Sequence, residues 1–371
     1  MPRVVAIGLD SVDIGLVERL IGEGQLPNLA ALRARGARAT LRIPTEYRSE
    51  APWTEFGAGR SSESNRYWST VIFDPETYGC PTIGAAAFVP FYALGAEKTV
   101  IALDIPHVRP HAGVHGLQVI GWSVHDPEFP RCSVPSGLLR DIETTAGQQR
   151  ATAVEYSGSW NQPRYIARYA QAVIDGARRR GAAVRLLLER CPDWDFLLVG
   201  ISDAHQTGHQ MWHGVDDRSP LHMASTAPIA RESLLAIHRA IDASLGDILA
   251  AAGEATVVVF SVKGMESASA EVVAWLLFPE LLHRLRFGQP FVPSPARAGS
   301  IPGALVPRPE TRPGGPARQA LAGSRPLRFR FVRVPSPGRH NPWPGAGAWR
   351  AVIARWRSAW PGSRCTSPLM P

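Results

Sequence analysis

Five short apolar segments, separated by longer amphipathic stretches, constrain the fold of this chain more than any other feature of its sequence. Each segment is apolar along most of its length and is bounded by turn or helix signals, which is typical of a strand buried on both faces of a parallel sheet. The segments are Val4–Leu9, Thr99–Leu103, Leu117–Gly121, Phe196–Ile201 and Thr256–Phe260.

Helical patterns lie between most of these predicted strands. Asp13 is placed to cap a helix that runs through Leu20–Ile21, and Pro27–Ala34 restarts it after a glycine-containing break. Longer helices are predicted over Tyr165–Leu188 and Ala227–Ala251. Strands that alternate with helices in this way predict an α/β fold with a doubly wound, mostly parallel sheet.

The positive charge of the chain is concentrated towards its C-terminal end. Residues 281–371 contain fifteen arginines and one acidic residue, Glu310, a balance of +14 that leaves −6 of the total +8 for residues 1–280. A mildly acidic body argues against a nucleic-acid-binding core. Because proline and arginine are frequent after residue 280 and apolar periodicity is weak, we expect one folded domain over 1–280 and an irregular or truncated Arg/Pro-rich region over 281–371.

The cysteines and the lack of long apolar segments indicate in which cellular environment the protein is expected. Cys80, Cys132, Cys191 and Cys365 are far apart and form no C-x-x-C pair, so neither a zinc ribbon nor a disulfide framework is expected. The N-terminal apolar run is too short for a signal peptide, and no segment reaches the roughly 18 apolar residues of a membrane span. We expect a soluble, cytoplasmic protein, and the sequence leaves its oligomeric state open.

Ligands of doubly wound sheets gather at the carboxyl ends of the strands, and polar residues follow three of the predicted strands. Asp10 ends the first strand, where its carboxylate could bind a cation or cap the next helix. Thr54, in the segment APWTEFGAGRSS, is expected at a helix N-terminus. There it could act as a nucleophile near a bound phosphate, or serve only as an N-cap.

Histidines and an aspartate follow the strand that ends at Ile201. Asp203 is followed by His205, His209 and His213, and the histidines recur every four residues, so they share one face of a helix. Neutral imidazoles in this arrangement can bind zinc or a similar metal. The strand that ends at Phe260 leads into Ser261–Gly264, which places Lys263 at the same edge of the sheet.

Taken together, these segments resemble the alkaline phosphatase superfamily, and within it the type I phosphodiesterase/nucleotide pyrophosphatase-like proteins. The matching residues are Asp10 at the end of the first strand, the stretch Leu26–Ala37, the nucleophile motif with Pro52, Trp53, Thr54, Phe56 and Gly59, the pair His205 and His209, and the Gly264–Met265 step. The resemblance covers most of residues 3–60 and 195–265. It implies an alkaline phosphatase-like fold with a cap-like insertion within about residues 66–194.

One metal site of that family is altered in this sequence. Where the family has an Asp-His pair of ligands before the Gly-Met step, this chain has Val262 and Lys263. Valine cannot bind a metal, and Lys263 could instead supply a fixed ammonium that pairs with a phosphate oxygen. The distant C-terminal histidine ligand of the family has no clear counterpart, and His340 stands as a candidate by default.

The resemblance implies metal-dependent hydrolysis of a small phosphate ester through a covalent phospho-threonine. Thr54 and Lys263 are the expected catalytic residues. Asp10, His205 and His209 are expected to hold one or two divalent ions, zinc or alternatively manganese, and Asp203 either joins them as a ligand or orients a histidine. His125, in the segment GWSVHDP, is expected to contact substrate, and His213 either contacts substrate or bonds locally.

Two readings from other functional classes stay open. The loss of ligands at Val262 and Lys263 is also what a non-enzymatic binding or scaffold protein with a decayed site would show. The Arg-rich region 281–371 could bind polyanions, although it lacks the aromatic interleaving of single-strand binders.

Overall fold

The structure is a computed structural model that describes residues 2–42, 51–67, 74, 76, 88–123, 131–155, 157, 160–219, 221–267, 278 and 280–288. These residues belong to the first of two compact units, Met1–Thr311 and Arg312–Pro371. His125, His340 and the region from residue 289 onwards lie outside the described residues, so the predictions made for them stay predictions.

The described residues of the first unit form a six-stranded sheet with the order β4-β3-β2-β5-β1-β6. Its strands are β1 (Val4–Leu9), β2 (Val100–Leu103), β3 (Gly116–Ile120), β4 (Cys132–Val134), β5 (Phe196–Ile201) and β6 (Thr256–Phe260). All pairings are parallel except that of β3 with β4, which is antiparallel. The prediction of an α/β, mostly parallel sheet is confirmed.

Helices connect the strands and cover the sheet. They are α1 (Ile14–Gly22), α2 (Pro27–Arg35), α3 (Ala51–Ala58), α4 (Ser62–Asn65), α5 (Leu138–Thr145), α6 (Ala151–Glu155), α7 (Pro163–Arg190), α8 (Asp203–Met211) and α9 (Ala227–Ala252). The predicted cap of α1 is confirmed, because Asp13 Oδ1 accepts a 2.7 Å hydrogen bond from the backbone N–H of Leu16. Among the described residues, no helix is both long and apolar enough to cross a membrane.

The two faces of the sheet carry separate apolar clusters. Val5 and Ile7 of β1 pack in a cluster that includes residues of α1, α7 and α9, whereas Ala6 packs in a second cluster with Trp53. Neighbouring side chains of a strand point to opposite faces, so β1 is buried on both sides. This burial explains why the strand is continuously apolar and could be identified from the sequence.

The region 66–194 contributes directly to this sheet. It contains β2, which lies between β3 and β5, together with the long helix α7, which packs along α9. The prediction of a cap-like insertion within this region stays a prediction, because residues 68–73 and 77–87 are not described.

Thr54 was expected at the N-terminus of a helix, and it is the fourth residue of α3 as described, Ala51–Ala58. Residues 43–50, directly before this helix, lie outside the described residues, so the predicted position of Thr54 relative to the helix start stays a prediction.

The ends of β2 and β5 approach so closely that one position admits only glycine. A Cβ atom added to Gly200 would lie 2.1 Å from the backbone carbonyl oxygen of Asp104, whose own φ is +54°. We predict that Gly200→Ala lowers the free energy of unfolding by about 1–3 kcal/mol, since backbone must move to relieve the overlap. Urea denaturation followed by circular dichroism measures the change.

The matched control for this prediction is Gly22→Ala in α1, where an added Cβ meets no atom within 4 Å. Alanine favours a helix over glycine, so this variant should be as stable as the wild type or slightly more stable. Equal effects of the two substitutions would contradict the close-approach argument.

Candidate active site

Asp10 lies at the carboxyl end of β1, in the middle of the functional edge predicted from the sequence. Its backbone N–H donates to the carbonyl of Ile201, so it stands beside the end of β5. The side chain is buried, with 2 % exposed, and its carboxylate is bonded by groups from several elements. Ser11, directly after it, donates from Oγ to Asp10 Oδ1 at 3.1 Å.

Trp53 of α3 is the first of these partners. Its indole Nε1 donates a 2.7 Å hydrogen bond to Asp10 Oδ1, and the ring is fully buried. The ring reaches this position because Gly8 of β1 has no side chain, since a Cβ there would lie 2.5 Å from Trp53 Cη2. Gly8 therefore lets α3 pack closely enough to fix the carboxylate.

His205 of α8 is the second partner of Asp10. Its Nδ1 lies 2.7 Å from Asp10 Oδ2, and because an ionised carboxylate only accepts hydrogen bonds, Nδ1 is the donor. The ring of His209, one turn later, lies with its centroid 4.8 Å from that of His205 and is exposed. The structure thus brings these two predicted histidines together, and it places His205 on Asp10.

Lys263 completes the cluster from the segment that follows β6. Its Nζ lies 3.6 Å from Asp10 Oδ1, and one tenth of its side chain is exposed. The preceding residue, Val262, is buried in the apolar cluster that contains Trp53. At the two positions where the sequence departs from the motif it resembles, valine packs in the core and lysine pairs with the aspartate.

The electrostatics of this cluster keep Asp10 ionised. Burial alone would raise the pKa of Asp10. The attraction of His205 and Lys263, together with the hydrogen bonds from His205 and Trp53, outweighs burial and holds the pKa well below its usual range. The site is therefore built around a permanent negative charge, with the imidazole of His205 at one carboxylate oxygen and the ammonium of Lys263 near the other.

The predicted nucleophile is oriented differently from its neighbour Trp53. Thr54 is fully buried, and its Oγ1 donates a 2.9 Å hydrogen bond to the backbone carbonyl of Ala51 in the same helix. Attack by this hydroxyl on a substrate requires that it first leaves this acceptor.

Two other predicted residues have partners away from the Asp10 cluster. Asp203 Oδ2 lies 2.7 Å from Arg180 Nη1, and both side chains are fully buried. His213 Nε2 lies 3.2 Å from Thr226 Oγ1, and burial, with a smaller contribution from His222, lowers the pKa of His213. His213 thus bonds locally.

Sequence reasoning missed Arg180 and the bond from Trp53 to Asp10. A signal for Arg180 existed in the sequence, because it shares the buried face of α7 with Ala177, Val184 and Leu187. An arginine at an apolar position of an amphipathic helix needs a buried partner. The signal for Trp53 was weaker, since a tryptophan next to a proline is ordinarily explained by packing.

The side chains of the cluster were tested for their fit to a divalent ion. A ligand pair on one zinc ion has each atom about 2.0–2.2 Å from the metal, which separates the two ligand atoms by more than a hydrogen bond does. Asp10 and His205 instead contact each other directly. Within the described ranges, no three His, Cys, Asp or Glu side chains form a group that could hold a metal. The arrangement as it stands does not fit a metal site.

Comparisons with known proteins give distant matches. No protein-family model matches the chain, and no curated protein matches it. Among solved structures, the chain is similar to phosphonoacetate hydrolase from Sinorhizobium meliloti 1021 in complex with phosphonoformate, at 17% identity and a TM-score of 0.42, covering 76% of this chain and 62% of that chain. The same hydrolase in complex with phosphonoacetate matches at 16% identity and a TM-score of 0.42, covering 78% and 63%. The chain therefore spans less than two thirds of that hydrolase.

The lowered pKa of Asp10 predicts an acid-sensitive contribution to stability. A carboxyl group whose pKa is lower in the folded than in the unfolded protein stabilises the fold above its unfolded pKa of about 4, and this contribution is lost as the pH falls below it. We predict that Asp10→Asn is less stable than wild type at pH 7, and that the difference shrinks towards pH 3. Urea midpoints measured from pH 3 to pH 7 test this.

The control is Asp141→Asn, which removes a carboxylate that is 44 % exposed and paired with Arg190 on the surface. Solvent-exposed ion pairs contribute little, so this variant should track wild type at every pH. A constant difference between wild type and Asp10→Asn across the pH range would show that Asp10 is not held ionised by its partners.

Proposed function

We propose that the chain hydrolyses phosphate esters at the carboxyl ends of β1, β5 and β6. The observation that supports this most is the convergence of Asp10, His205 and Lys263, with Nδ1 at 2.7 Å and Nζ at 3.6 Å from the carboxylate oxygens. An imidazole oriented by a carboxylate can move protons, and an ammonium can bind the oxygens of a phosphoryl group. The sequence resemblance to the alkaline phosphatase superfamily supplies the reaction class.

In its finer form the proposal is a phosphodiesterase of the nucleotide pyrophosphatase type with Thr54 as nucleophile. The threonine oxygen attacks phosphorus, the bond from phosphorus to the alcohol oxygen breaks, and the alcohol leaves with a proton. Water then cleaves the phospho-threonine and restores the hydroxyl group. Before the first step, Thr54 gives up its hydrogen bond to Ala51.

Asp10 and His205 carry the protons in this scheme. Asp10 holds Nδ1 of the imidazole through its Oδ2, so that the other ring nitrogen accepts the proton of the attacking hydroxyl and returns one to the leaving alcohol. In the second step the same nitrogen takes a proton from water and delivers one to the threonine oxygen.

Lys263 faces the negative charge of the transferring group. In an enclosed site, a fixed cation placed where charge develops stabilises the transition state more than it would in water. Zinc or manganese, which the resemblance implies, has no role in these steps, because the described side chains do not form a ligand set for it.

A second candidate function is non-enzymatic binding of a phosphate-containing ligand. The observation that favours it is the burial of Thr54, whose hydroxyl is already used within its helix. A measurement of substrate turnover distinguishes these two candidate functions. A wild-type chain that binds a non-hydrolysable phosphonate diester in calorimetry, yet releases no product from a chromogenic diester with or without zinc or manganese, is a binding protein.

The role of Lys263 predicts a loss of transition-state stabilisation in Lys263→Met. Removing one group that stabilises developing oxyanion charge costs about 100-fold or more in kcat, so kcat/KM for bis-p-nitrophenyl phosphate should fall by about that factor. Lys98→Met is the matched control, since Lys98 pairs with Asp195 at a partly exposed position. Equal activities of the two variants would remove Lys263 from the mechanism.

The covalent step predicts a trapped intermediate on Thr54. Acid quenching during turnover, followed by peptide mass spectrometry, should detect a phosphate on the peptide that contains Thr54 in the wild type and none in Thr54→Ala. Thr54→Ser keeps a hydroxyl group and should retain part of the activity. An active Thr54→Ala variant would show that water attacks directly and that Thr54 is structural.

A further inference from the structure

Three ionisable side chains are buried together near the ends of β2 and β5. Asp104 follows β2, Arg180 belongs to α7, and Asp203 is the first residue of α8. Their exposures are 1 %, 0 % and 0 %. Burying charges is costly unless they are paired, and this group joins α7 to the ends of two central strands.

The contacts form a continuous chain. Arg180 Nη1 lies 2.7 Å from Asp203 Oδ2, and Arg180 Nη2 donates to Ser123 Oγ at 3.5 Å. Ser123 donates from both its backbone N–H and its hydroxyl to Asp104 Oδ2 at 2.7 Å, and the N–H of Trp122 donates to Asp104 Oδ1 at 2.9 Å. Burial raises the pKa of Asp104, although the bonds from Ser123 and Trp122 and the charge of Arg180 oppose it.

Asp203 and His205 lie in the same first turn of α8 but point to different sides. An α-helix turns about 100° per residue, so side chains two residues apart point in directions that differ by about 200° around the helix axis. On one side Asp203 contacts Arg180, and on the other side His205 contacts Asp10. One turn later, the Thr207 hydroxyl donates to the carbonyl of Asp203 at 2.6 Å.

We propose that Arg180 is a positioning residue, whose ion pair with Asp203 sets the rotation of α8 that brings His205 Nδ1 onto Asp10. The proposal rests on the proposed function, since it assigns Arg180 to the orientation of the imidazole used in that reaction. Arg180 acts through Asp203 and is therefore not a catalytic residue.

The test measures the NMR signal of the His205 imidazole, which would not change if Arg180 only stabilised the fold. In selectively ¹⁵N-histidine-labelled protein, the Nδ1 of His205 should give a protonated, slowly exchanging resonance, assigned by its loss in His205→Gln. The deciding variant is the double substitution Arg180→Met and Asp203→Asn, which leaves neither partner of the pair as an uncompensated buried charge. We expect it to fold, to lose this resonance, and to reduce kcat about 100-fold, as small misplacements of a catalytic group do.

Arg178→Met is the matched control on the same helix, because the Arg178 side chain is 69 % exposed and pairs only loosely, at 3.7 Å, with Asp175. It should keep the Nδ1 resonance and the activity of the wild type. A folded double variant that keeps the wild-type Nδ1 resonance overturns the proposal, as does an equal loss in the control.

If circular dichroism shows that the double variant does not fold, Arg180→Lys decides, since it keeps the charge but not the planar fork of donors. A shifted Nδ1 resonance then supports the proposal and an unchanged one overturns it. The resonance is measured without substrate. If the variant shifts the resonance but the wild type shows no hydrolase activity, the positioning role of Arg180 is supported and the hydrolase proposal is rejected. If the variant leaves the resonance unchanged and is active, only the positioning role is rejected.

Discussion

A carboxylate buried at the end of a central strand is the constraint on which the rest of this edge depends. An ionised aspartate loses its hydration when it is buried, and charges and hydrogen bonds must replace that hydration. For Asp10 the replacements come from α3, α8 and the segment after β6, through Trp53, His205 and Lys263. The ends of β1, β5 and β6 are therefore tied together through one side chain, and Gly8 makes room for the first of these contacts.

The kind of positive charge beside Asp10 decides what chemistry the edge can support. A divalent ion would need several ligand atoms arranged around it, whereas the ammonium of Lys263 is attached to the chain and pairs with the carboxylate directly. Val262, next to it, belongs to the apolar core instead of pointing a ligand at the site. Under the proposed function, these fixed charges bind the phosphoryl group, and α8 is held by His205 on Asp10 and by Asp203 on Arg180.

Much of the fold could be predicted because β1 and β5 are buried on both faces, and because β6, although partly exposed, is apolar from Val257 to Phe260. β1, β5 and β6 have the bounds that their apolar runs indicated, and Asp13 caps α1 as its position before an amphipathic segment suggested. β4 was not predicted, since its three residues, Cys132–Val134, are too few to form an apolar run and include a serine.

The sequence by itself determined which segments become strands and which polar residues follow them, because both depend on local apolar patterns that need no partner. It placed Asp10, His205 and Lys263 at one edge through the general rule that parallel strands end together. Only the tertiary structure decided which of these residues touch. Asp203 and His205 are two positions apart and were both candidate metal ligands, yet Asp203 contacts Arg180 and His205 contacts Asp10. The rotation of α8 separates them, and the partners come from distant parts of the chain that no local periodicity relates.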